Sequence, residues 1–211
     1  MDEDLKELIV KADNGDVEAM VMVAGCYNSG LGTDKDEEKA HIYYRRAADR
    51  GNVVAAYLAG LGCYAGMGTK QDMNLAVKYI QMAADKGLAD AQEMMGILYQ
   101  NGLAGKFFKE QNAIKYYTMA AKQGHASAQY ELGKIYLTEW TKGNKSRFDD
   151  GLFWLLCAAL HDSEKSKEAM EKAENMIDNG ILGRGYPVKA IQNLIERIRQ
   201  QYPSYIVDPA Q

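Results

Sequence analysis

Small and apolar residues return along this chain with two periods at once. Counted from Gly15, Gly51, Gly87 and Gly124, alanine recurs four places on, at Ala19, Ala55, Ala91 and Ala128. Small residues recur nine places on, at Ala24, Gly60, Gly96 and Gly133, and Tyr27, Cys63, Tyr99 and Tyr136 stand twelve places on. Offsets of 4, 8–9 and 12 share one face of a helix, so each stretch predicts a helix with a small-residue stripe. The whole pattern returns after 36, 36 and 37 residues, a period that marks stacked helical repeats. Gly30, Gly66 and Gly102 follow each first helix, where a left-handed glycine ends a helix. Asp36 and Asp72 then stand at N-cap positions of a second helix. That helix carries Ala40, Ala76 and Ala113 and closes on Ala47-Ala48, Ala83-Ala84 and Ala120-Ala121. Alanine and glycine at these junctions predict close backbone approach.

The pattern divides the chain into repeats at 15–50, 51–86, 87–123 and 124–161, preceded by a half-repeat at 1–14. In the fourth repeat Glu139 replaces the turn glycine, and an insertion is expected over 139–150 before the second helix resumes at GLFWLLCAAL. Ala169, Gly180 and Ala190 keep the spacing weakly, which predicts a degenerate fifth repeat or cap at 162–200. Terminal repeats are atypical because they must cover the ends of a stack. Pro203 and Pro209 predict an irregular tail at 201–211. The fold class is therefore all-α, an α-solenoid of antiparallel helix pairs with about five repeats.

Composition narrows the function. At 211 residues, with 47% apolar and 26% charged residues, this is an ordinary globular composition. A net charge of −4 argues against general nucleic-acid binding, which needs excess Lys and Arg. No window approaches the ~20 apolar residues of a membrane span. The acidic start MDEDLKELIV lacks the basic-then-apolar order of a signal peptide, so the expected compartment is the cytoplasm, a removed leader aside. Cys26, Cys63 and Cys157 read as buried thiols in a reducing setting. No two of His41, His125 and His161 share metal-ligand spacing, and no Cys-x-x-Cys occurs, so neither a metal nor a cofactor is expected. Gly60, Gly62, Gly66 and Gly68 mimic a phosphate loop, but they coincide with the repeat's packing and turn positions, and no Gly-Lys-Ser/Thr follows.

Ala91, Met95-Gly96, Tyr99, Gly102, Ala113, Tyr116, Ala120-Ala121 and Gly124 together resemble the Sel-one-like repeat (SLR) family, a relative of the tetratricopeptide repeats. The resemblance is clear over 11–160 and weak over 161–200. It implies a right-handed superhelix whose concave surface is lined by the first helix of each pair. It also implies an adaptor or scaffold that binds a protein or peptide partner, without catalysis. Some secreted bacterial members pair cysteines within each repeat; this chain has no such pairs.

By the same resemblance, concave positions fall 3, 6, 10 and 13 places after each repeat start. They are Glu18, Val21, Gly25 and Asn28; Val54, Tyr57, Leu61 and Tyr64; Asp90, Glu93, Ile97 and Gln100; and Ser127, Tyr130, Lys134 and Leu137. The second set is wholly apolar or aromatic, and such a stripe, if exposed, marks an interaction site. The expected site is a groove of Val54, Tyr57, Leu61, Tyr64 and Tyr130, with Ile97 beside it and Glu93 and Lys134 making polar contacts. The competing reading packs these side chains against a neighbouring repeat or the tail. Lys142, Lys145 and Arg147 beside Trp140 and Phe148 form a second candidate in the insertion. A hydrolase or small-molecule binder with an unrecognised pocket, and a self-assembling structural protein, are the alternatives. No residues are singled out as catalytic.

Overall fold

The computed structural model describes residues 2–105 and 107–159, with Asn193 and Gln200 beyond them. The fifth-repeat and tail expectations lie outside the described residues. The described chain is all-α, and it divides into two compact units, Met1–Ala113 and Ile114–Gln211.

The first unit holds α1 (Glu3–Asp13), α2 (Val17–Ser29), α3 (Glu37–Ala48), α4 (Val53–Ala65), α5 (Met73–Asp85), α6 (Ala89–Gln100) and the start of α7 (Lys109–Lys122). From α1 to α6 each helix packs on its sequence neighbours, as a solenoid of helix pairs requires. Asp36 and Asp72 cap α3 and α5, accepting from the backbone N–H of Lys39 at 2.9 Å and Leu75 at 3.0 Å. Gly30 and Gly66 end α2 and α4 in the left-handed conformation. A recurring rung ties second helices one repeat apart. The Tyr43 hydroxyl donates to Asp13 of α1, and the Tyr79 hydroxyl donates to Asp49 at the end of α3 at 2.8 Å. Arg46 adds an ion pair to Asp13 at 2.7 Å.

The alanine pairs are buried, as close packing demands: Ala47, Ala48, Ala83 and Ala84 are at most 1% exposed. The junction glycines differ from expectation. A methyl group added at Gly51 would meet nothing, yet its φ of +91° lies where L side chains are strained. Backbone conformation, not close approach, selects glycine there. Close approach selects it at Gly60, where an added Cβ would stand 2.6 Å from Ile80 Cγ1.

The second unit holds the rest of α7, α8 (Ala126–Thr141), a short 3-10 turn (Lys145–Arg147) and α9 (Phe148–Ala159). The α8 and α9 helices pack closely through their glycines. An added Cβ at Gly133 would press on Leu155, and one at Gly151 on Leu137. The expected 139–150 insertion is mostly helical. Without a glycine at 139, α8 runs on to Thr141, and α9 begins at Phe148.

Candidate functional site

The α4 sequence VVAAYLAGLGCYA sorts its residues by size. Ala55, Ala59, Gly60 and Cys63 face inward and are fully buried, while Asn52 caps the helix through the Ala55 N–H at 2.9 Å. The larger residues occupy the other side. Val54 is 49% exposed, and Tyr57, Leu61 and Tyr64 are half-buried. Burial pushes the Tyr57 hydroxyl pKa up, and the charges of Asp90 and Glu93 on α6 add to the shift. Tyr57 thus sits beside the acidic start of α6, and Glu93 and Ile97 are themselves half-buried.

The second unit differs. Tyr130 is 3% exposed, contrary to the accessible position its spacing predicts. Its ring lies beneath the Lys134 ammonium, 4.9 Å from the centroid, and Glu131 holds that ammonium at 2.9 Å. Leu137 is also buried, against Gly151.

Behind Leu61 a cleft of ≈ 120 Å³ opens between α3 and α4, walled by Ala40, Tyr44, Leu58, Leu61 and Met67, with His41 and Gly62 also lining it. His41 is 5% exposed. An added Cβ at Gly62 would stand 2.6 Å from its Nδ1, and its Nε2 lies 3.8 Å from Cys63 Sγ. Burial lowers the His41 pKa, and the Arg45 charge lowers it further. Burial likewise raises that of the Cys63 thiol. The pair is a neutral imidazole beside a protonated thiol, which is not an activated nucleophile. Sequence reasoning left His41 without a role. The signal was present, because Gly62-Cys63 stands where other repeats carry Leu98-Tyr99 and Ile135-Tyr136.

The three cysteines are free thiols; Cys63 and Cys157 are buried, and Cys26 is half-buried rather than in the core. In the connection after α8, Arg147 is held by two ion pairs and a ring contact, although its Nε meets Glu139 without hydrogen-bond geometry. Its Nε meets Glu139 at 3.0 Å, its Nη1 meets Asp150 at 3.3 Å, and its guanidinium covers the Tyr136 ring at 4.7 Å. Phe148 is buried against Trp140, with ring centroids 5.1 Å apart, so the aromatic part of this candidate is packing. Lys142 is exposed, and the Lys145 side chain lies outside the described residues. Among the described residues no cluster of three or more His, Cys, Asp or Glu could hold a metal ion, and no helix is long and apolar enough to cross a membrane.

The family model described as Sel1 repeat matches residues 17–52, 53–88, 89–125 and 126–163, well over half of the chain. The chain belongs to the Sel1 repeat family. Sel1 repeat proteins generally mediate protein–protein interaction and are in general non-catalytic scaffolds. A solved Sel1 repeat protein from Oxalobacter formigenes is 32% identical, with a TM-score of 0.55, over 61% of this chain and 96% of that one. A protective antigen of uropathogenic Escherichia coli strains, displaying an SLR fold, aligns over 96% of this chain at 22% identity and a TM-score of 0.68. This Sel1 repeat chain spans 45% of that antigen's length, and the likeness shows the fold alone. No curated protein matches by sequence.

Proposed function

We propose that this Sel1 repeat protein is a non-catalytic adaptor that holds a peptide or helix of a partner protein on the first-helix stripe of its first unit. The stripe is Val54, Tyr57, Leu61 and Tyr64, with Glu93 and Ile97 along its α6 side. One observation carries the reading: α4 buries only small residues and leaves its large apolar ones accessible to solvent. A lone helix surface of that kind is costly in water, and it suits the apolar face of an incoming helix or the side chains of an extended peptide. Tyrosines are effective anchors because they bring large area with few rotamers to freeze. Tyr130 and Lys134 do not extend the stripe. The first is buried, and the second is held by Glu131. Three free thiols suit a reducing compartment such as the cytoplasm.

The test is affinity capture from native extract with the wild type beside a Tyr57→Asp/Tyr64→Asp variant of unchanged helicity. The reading expects partners retained by the wild type and lost by the variant. Equal capture by both proteins contradicts it.

A further inference from the structure

The cleft behind Leu61 has three properties of a built site. First, its size suits one ring. An apolar cavity of roughly 150 Å³ takes benzene, and this one is ≈ 120 Å³ and open to solvent. Second, apart from Asn28 and Glu37 its walls beside His41 are apolar and soft. Leu58, Leu61 and Ala40 are aliphatic, Tyr44 offers a ring, and Met67 a flexible thioether. Third, it holds one deeply placed polar group. His41 is 5% exposed, its Nε2 is turned to Cys63, and its Nδ1 faces Gly62 where a side chain would otherwise stand.

The opening depends on residue 62. Leu98 and Ile135 stand at the matching place in later repeats, and Leu98 is fully buried. Only glycine leaves room for the imidazole and the space before it. Charge selects among ligands. Glu37, paired with Lys35 at 2.7 Å, is among the lining residues and none of them is a Lys or Arg, so an anion would meet no opposite charge on the walls. Neutral His41 offers a hydrogen bond and no ion pair.

We propose that this cleft binds one neutral phenol, with its ring among Tyr44, Leu58, Leu61 and Met67 and its hydroxyl on Nδ1 of His41. A phenol hydroxyl donates and accepts, so it pairs with either imidazole tautomer. The ligand is a partner's tyrosine side chain or a free small phenol. The site shares only Leu61 with the stripe and needs no partner protein, so loss of the adaptor reading leaves it standing.

The experiment titrates the full chain with p-cresol, toluene and N-acetyltyrosinamide, following the His41 ring proton and the Leu58 and Leu61 methyls by NMR. Saturable shifts are expected with p-cresol. Binding of toluene should be about 2- to 10-fold weaker, the loss of one hydrogen bond. His41→Leu should retain toluene binding and lose the preference for p-cresol. Matching shifts with N-acetyltyrosinamide assign the site to a tyrosine side chain; p-cresol shifts alone assign it to a free phenol. Absence of p-cresol shifts at these residues in the wild type overturns the proposal. So does a p-cresol preference that survives His41→Leu, or undiminished p-cresol binding by Gly62→Ala of native helicity.

Discussion

At the residue scale, glycines with the same period do different work. Gly60 lets α4 approach Ile80, so Gly60→Ala should cost about 1–3 kcal/mol from overpacking, partly relieved by Ile80→Val. Gly51→Ala should cost about 1–2 kcal/mol through its positive φ, with no neighbour able to relieve it, and Gly51→Asn should cost less. Chemical denaturation of the variants separates the two mechanisms. His41 yields a pH prediction. Its folded pKa is lowered by burial, then by Arg45, while the unfolded chain titrates near 6.5. Below about pH 6.5 the unfolded chain takes up the proton first, so the His41 contribution is complete above that value and declines as pH falls. The difference in Tm between wild type and His41→Leu should therefore shift against the wild type on going from pH 7.5 to pH 5. A constant difference would contradict a buried neutral imidazole. The repeated glycines and alanines are legible in the sequence because backbone geometry forces them at every turn of the stack. The role of His41 is legible only indirectly, through Gly62 on another helix, which stands where later repeats carry Leu98 and Ile135.

At the element scale, first helices are fastened in two ways. Asp16 and Asn52 cap α2 and α4 through the Ala19 and Ala55 N–H groups. The cap positions of α6 and α8 are Leu88 and His125, which make no side-chain cap bond. There a buried glutamine reaches back to the preceding helix. Gln92 donates to the Ala84 carbonyl at 3.1 Å, and Gln129 to that of Ala121 at 3.0 Å. Methionine and alanine occupy the glutamine place in the earlier repeats, at Met20 and Ala56. Gln92→Ala should destabilise by about 1–3 kcal/mol, and Asn52→Ala by about 1 kcal/mol, measured by urea unfolding. Near-zero loss at Gln92 would show that the bond is incidental. Helix positions and the Asp36 and Asp72 caps were legible from local spacing. The glutamine fastening and the run of α8 to Thr141 were not, since both depend on what the next helix presents.

At the scale of the molecule, the first unit carries the case for function. Spacing correctly sets which residues share a helix face, but it cannot say what covers that face. Val54, Tyr57, Leu61 and Tyr64 stay accessible on α4, while the equivalent Tyr130 is covered by Lys134 on α8. The repeat class follows from a period that any reader can count, and family membership narrows the role to protein interaction. The stripe itself rests on α4. The most direct measurement is hydroxyl-radical footprinting of the protein alone and bound to its captured partner, read residue by residue by mass spectrometry. The account predicts that Tyr57, Leu61 and Tyr64 lose reactivity in the complex while exposed Val10 and Leu31 keep theirs. Protection of Leu31 or Val10 with the α4 stripe unchanged would place the partner elsewhere and contradict the account.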